Sequence, residues 1–102
     1  MTYVLHPEVY GDLDEIYEYI DRFNPSAADR LLDEFLAAFD SLVRFPLQGH
    51  RRIYLSSQPL RFKVVRSYLI AYLPDLEPLW IVAVLDGRRS PRVIAAILRG
   101  RE

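Results

Sequence analysis

The sequence predicts an α+β domain in which an α-helical hairpin packs on one face of a largely antiparallel sheet, in the order β-α-α-β-β-β-β-α. Three observations predict it. Apolar residues recur at helical spacing through most of the first half of the chain. After "PLQG" they alternate or run unbroken, as strands do. The links between these later strands are short, which favours an antiparallel meander over crossovers. The 102 residues fit a single domain over 1–102.

Each element has its own signal. "TYVLH" is β-branched and aromatic and reads as the first strand. After Pro7, Val9, Leu13, Ile16, Tyr17 and Ile20 mark one face of a helix. Asn24 is a good N-cap with Pro25 at the first helical position, so a second helix follows. Leu31, Leu32, Phe35, Phe39, Leu42 and Val43 form its apolar face, and it ends near Phe45, before Pro46. The short link makes the two helices an antiparallel hairpin. "HRRIYL" reads as a strand broken by "SSQP". "LRFKVV" alternates Leu60, Phe62 and Val64 against Arg61, Lys63 and Val65. Arg66-Ser67 makes a tight turn into "YLIAYL". "LWIVAVL" is the most apolar strand and is expected at the centre of the sheet. Ser90 and Pro91 start a last helix whose Val93, Ile94, Ile97 and Leu98 pack on the sheet. With the helix hairpin on one face, the other face is expected to present Arg61 and Lys63.

Bulk properties narrow the function. The chain has no cysteine, which excludes disulfides, zinc–cysteine sites and a thiol nucleophile. No signal peptide is visible and no apolar run is long enough to span a membrane, so a cytoplasmic protein without membrane contact is expected. Charge is divided along the chain. Residues 1–50 hold ten acidic and three basic residues, net −7, and residues 51–102 hold four acidic and ten basic, net +6. The two halves therefore attract each other, or each face meets a partner of opposite charge.

The basic set is Arg51, Arg52, Arg61, Lys63, Arg66, Arg88, Arg89 and Arg92. These residues lie on strands or strand ends that an antiparallel sheet is expected to bring together. Arginine grips phosphate with paired hydrogen bonds, and Tyr54, Tyr68 and Tyr72 on neighbouring strands could stack on bases. Phosphodiester cleavage also needs proton transfer. His6 and His50 both stand at element boundaries, where a structural role is expected. Asp12, Asp14, Glu15 and Glu18 read as a solvated helix face, with no histidine spaced to complete a metal site. No cofactor or metal is expected.

The succession "HPEVYGDLDEIYEYI", "NPSAADRLLDEF", "FPLQGHRR", "LRFKVVRSYLIAY" and "IVAVLDGRR" resembles the RelE/ParE superfamily of toxins, from about His6 to Arg89. The resemblance implies a RelE/ParE-like fold and a bacterial toxin of a two-gene, type II toxin–antitoxin module. It also implies a cognate antitoxin, ParD-like and of the ribbon-helix-helix kind, disordered alone, that wraps helical and extended segments around the toxin. Promoter DNA is then met only through the antitoxin. Some relatives cleave messenger RNA in the ribosome and others inhibit DNA gyrase, and the fold is common to both.

Particular positions separate the two activities. Lys63 matches a middle-strand basic position of the ribonucleases, and Arg88 or Arg89 a late one. Leu69, however, follows Tyr68 where the ribonucleases carry arginine. No tyrosine or histidine follows Trp80, and Asp86 stands where many relatives have histidine. The expectation is therefore a ParE-like gyrase inhibitor whose target-binding residues are Arg51, Arg52, Arg61, Lys63, Arg88, Arg89 and Arg92. The alternatives are a ribosome-dependent endoribonuclease clamping phosphate with Arg61, Lys63, Arg88 and Arg89, or a degenerate member that only binds its antitoxin.

Overall fold

The structure, a computed structural model, describes residues 2–102. β1 (Tyr3–Leu5) leads into α1 (Val9–Asp21) and α2 (Pro25–Arg44). β2 (His50–Arg51), β3 (Arg61–Val65), β4 (Tyr68–Leu73) and β5 (Leu79–Asp86) follow, then α3 (Pro91–Arg99). This is the expected α+β order. The expected caps form. Asn24 Oδ1 accepts the Ala27 N–H at 3.1 Å, and Ser90 Oγ accepts the Val93 N–H at 3.3 Å. His6 sets the turn that leads into α1: its Nδ1 accepts the Glu8 N–H and its carbonyl accepts the Val9 N–H. His6 thus organises a helix start.

The sheet order is β1-β5-β4-β3-β2, with β1 parallel to β5 and every other pairing antiparallel. β4, rather than the more apolar β5, holds the centre. β4 has a partner on each side from Tyr68 to Tyr72, whereas β1 covers only the Leu79–Ile81 part of β5.

The sheet is the middle of three layers, and this corrects the expectation that the face away from the hairpin presents Arg61 and Lys63. On one side Val9, Leu31, Phe35, Phe39 and Leu42 of the helix hairpin pack on Tyr68, Ile70, Tyr72, Ile81 and Val84. On the other, Ile94 and Leu98 of α3, with Leu55 and Leu60, cover Phe62, Leu69, Ala71, Val82 and Leu85. Arg61 and Lys63 do not lie on that second face. They stand opposite Tyr72 and Ile70 in the β3–β4 ladder, and directly opposed residues point to the same side. Both basic residues therefore point to the hairpin side, and the apolar Leu60 and Phe62 point to α3.

A second correction concerns "HRRIYL". Only His50 and Arg51 pair with β3. The Leu55 N–H bonds the Arg52 carbonyl at 2.9 Å, closing a turn. That turn drops Leu55 into the second core and leaves Ile53 80 % exposed.

The charge division is used within the molecule. Arg66, in the two-residue β3–β4 turn with φ of 54°, reaches across to α2 and holds both carboxylate oxygens of Glu34. These bonds hold the Glu34 carboxyl below its ordinary range. The pair is exposed and screened, so it orients the hairpin more than it stabilises it. A second link between the halves, from Arg101 to Asp12, is buried.

Candidate functional site

The basic residues fall into two groups. The first lies where β2 meets β3. Arg51 and Arg61 stand directly opposite each other, with Arg52 next in the chain. The Arg61 guanidinium donates to the Gly49 carbonyl at 2.8 Å and the Leu47 carbonyl at 3.4 Å. These bonds offset the repulsion between facing arginines and fix the loop that follows α2. Tyr72 fixes the same loop from below. Its hydroxyl donates to the Pro46 carbonyl at 2.7 Å and accepts the Gly49 N–H at 2.9 Å. Burial raises the Tyr72 phenol above its ordinary range. Gly49 is glycine because the loop passes so close: a Cβ there would lie 2.7 Å from the Tyr72 hydroxyl.

The second group follows β5. The Asp86 carboxylate accepts the Arg88 backbone N–H at 2.9 Å, Nε at 3.0 Å and Nη2 at 2.9 Å. Hydrogen bonding from Arg88 holds the Asp86 carboxyl below the ordinary carboxylate range. Arg89 and Arg92 are exposed. Among the described residues, neither takes part in an ion pair. Asp86 pairs with Tyr68, which pairs with Val65. Val65 lies four residues beyond Arg61 on β3, about 13 Å at strand rise. The sheet thus brings Arg51 to Arg61, and holds Arg88 with Arg89 at its other end. It does not gather the whole set. Lys63 lies between, on the hairpin side.

The tyrosines do not form a stacking platform. Of the three expected to stack, Tyr68 and Tyr72 are buried in the hairpin core and Tyr54 is open to solvent. His50 is exposed on β2.

The Asp86–Arg88 pair makes a checkable pH prediction. A carboxyl with a lowered folded pKa adds stability above its unfolded value and loses it as pH falls through the folded pKa. The Asp86 carboxyl carbon, followed by NMR, should titrate below 3.8, the ordinary value for the group. Arg88→Ala should return it upward. An unchanged midpoint in that variant would show that Arg88 is not the cause.

A concavity of about 600 Å³ lies between α1, α3 and the outer edge of β5. At its base Arg101, just beyond α3, grips Asp12 of α1. Nη2 donates to Oδ1 at 2.6 Å and Nη1 donates to Oδ2. Nη1 also reaches the Val82 carbonyl at 3.0 Å, and Asp12 Oδ2 accepts the Val84 N–H at 3.0 Å. Asp12 is therefore no part of a solvated face, which corrects the reading of the acidic cluster. The signal for Asp12 was its place between Val9, Leu13 and Ile16 on the buried stripe of α1. For Arg101, 89 residues away, no local signal exists.

With this geometry in place, comparison with known proteins identifies the family. A profile described as the ParE toxin of the type II toxin–antitoxin system, parDE, matches residues 3–91, from β1 to the first residue of α3. The chain belongs to the ParE toxin family. A protein of Sinorhizobium fredii (strain NBRC 101917 / NGR234) named "Putative toxin Y4kP" is 33 % identical over 66 residues, 65 % of this ParE-family chain. The match spans 60 % of that relative's own length. Among the described residues of this ParE-family chain, no helix is long and apolar enough to cross a membrane.

Proposed function

We propose that this ParE-family chain is the toxin of a type II module, that it inhibits DNA gyrase by protein contact, and that a ParD-like ribbon-helix-helix antitoxin neutralises it. Family membership supports the toxin and antitoxin parts of this reading. The single observation that favours protein contact over phosphate cleavage is how the arginines are engaged. Arg61 is bound to backbone carbonyls at one end of the sheet, and Arg88 is closed on a carboxylate at the other. A clamp for one scissile phosphate needs several cations converging on one point. Cations spread over a surface suit recognition of an acidic protein face. Arg51, Arg52, Lys63, Arg89 and Arg92 are the cations left for such contact.

Controlled expression without a partner tests the proposal in cells. Growth should stop with induction of the DNA-damage response while translation continues, and co-expression of a ribbon-helix-helix antitoxin should restore growth. Normal growth, or translation arrest with cleaved messages, would contradict it.

A further inference from the structure

The turn that sinks Leu55 into the second core leaves the tip of the β2–β3 loop standing out. Ile53 at that tip is the most exposed large apolar side chain among the described residues. Arg51 and Arg52 precede it, and neither is in an ion pair among the described residues. At the same end of the sheet, the end of α2 and the β4–β5 loop enclose a hollow of about 400 Å³. Val43, Pro46, Pro74, Pro78 and Leu79 give it apolar walls, and Asp75 and Glu77 line it as well. Both carboxylates are exposed and outside any ion pair among the described residues, and no cation lines the hollow. β2 and the β4–β5 loop are about 12 Å apart across the sheet at ordinary strand spacing. Pro46 and Leu47 fill the interval: Pro46 lines the hollow, and the Leu47 carbonyl accepts Arg61 at the start of β3. Phe45, Leu47, Ile53, Tyr54 and Leu76, all exposed, lie on the loops at this one end. Scattered singly such residues are ordinary, but gathered they mark an interaction surface.

We propose that this end of the molecule is a self-association surface, on which the Arg51–Arg52–Ile53 knob of one copy enters the Asp75–Glu77 hollow of a second while the reverse contact forms beside it. The charges select a second copy as the occupant. An apolar hollow with two open carboxylates calls for an apolar tip carried on cations, and the chain presents that tip at the same end. A twofold axis midway between knob and hollow exchanges the two, so one surface supplies both halves of the contact and assembly closes at the dimer. Arginine suits this use, because its guanidinium offers a carboxylate two parallel hydrogen bonds. Leu47, between knob and hollow, then meets the second copy near the axis. The pairing does not depend on gyrase being the target. Where gyrase is the target, the dimer covers Arg51 and Arg52 and is the form withheld from it.

The test is sedimentation velocity of the full chain from micromolar to millimolar concentration. A reversible monomer–dimer exchange is expected, weaker as salt rises. Ile53→Ser should weaken it about a hundredfold, because two buried isoleucines are lost per dimer. Two charge reversals identify the surfaces that meet: Arg51→Glu with Arg52→Glu in one chain, and Asp75→Arg with Glu77→Arg in another. Each variant alone should be monomeric, since like charges then face each other in both contacts. Mixed in equal amounts, the two should form a one-to-one heterodimer, since both contacts again pair opposite charges. Four results would overturn the proposal: a parent chain monomeric at millimolar concentration, a dimer that survives either reversal, assembly that grows past the dimer, or reversal variants that are folded by circular dichroism and do not combine.

Discussion

Arg101→Ala should lower folding stability by about 3–5 kcal/mol, the cost of leaving one member of a buried ion pair without its partner. The side chains of Arg101 and Asp12 are only 8 % and 9 % exposed. The substitution would strand the Asp12 carboxylate in the base of the groove and free the Val82 carbonyl. It would also release α3 from α1. For a domain of this size each kcal/mol moves Tm by about 4–8 °C, so thermal unfolding followed by circular dichroism should show a fall of at least about 12 °C. Asp12→Asn should cost less, because an amide oxygen still accepts the Val84 N–H. Replacing both residues with apolar ones of similar volume should also cost less than Arg101→Ala alone, since no charge is then left unpaired. An Arg101→Ala protein that melts within 2–3 °C of the parent, about half a kcal/mol, would show that the pair is not what holds α3.

Gly49→Ala should be the next most damaging change. The new Cβ would lie 2.7 Å from the Tyr72 hydroxyl and 2.8 Å from the Phe62 carbonyl oxygen. Neither can retreat. Tyr72 is fully buried and tied to Pro46, and Phe62 lies in β3 opposite His50. Overpacking of this kind costs about 1–3 kcal/mol, readable as a lowered denaturation midpoint in urea. Tyr72→Phe removes the hydroxyl and leaves the Gly49 N–H and Pro46 carbonyl unbonded, for about 1–3 kcal/mol. The double variant should fall short of the sum, because both changes break the same contact. Additive losses would mean that Gly49 is required for some other reason.

These two sites show where the sequence was legible and where it was not. Local chemistry was legible. Asn24-Pro25 and Ser90-Pro91 start their helices as read, the Arg66-Ser67 turn joins its strands, and the α2 stripe from Leu31 to Val43 is buried apart from the partly covered Leu32. Alternation in "LRFKVV" correctly separated Leu60 and Phe62 from Arg61 and Lys63. It could not say which set faces the hairpin, because period two gives two faces without naming their neighbours. Arg61 and Lys63, expected on the face away from the hairpin, stand on the hairpin side, opposite Tyr72 and Ile70. Strand propensity in "HRRIYL" was outweighed by the gain from sinking Leu55 into the second core. The arginines of β2–β3 and of the β5 end were expected together because a sheet gathers strand ends. They lie at opposite ends of the sheet, on strands separated by β4, a distinction that needs the register. The Asp12–Arg101 pair joins residues 89 positions apart, and only the folded chain reveals it.

The proposed target of this ParE-family chain is gyrase and not messages. The direct measurement is supercoiling of relaxed plasmid by purified gyrase, titrated with the purified chain, beside the integrity of a translated message in a cell-free extract given the same amounts. Supercoiling should be lost while the message stays intact. Message cleavage with supercoiling unaffected, abolished by Arg61→Ala or Arg89→Ala, would contradict it.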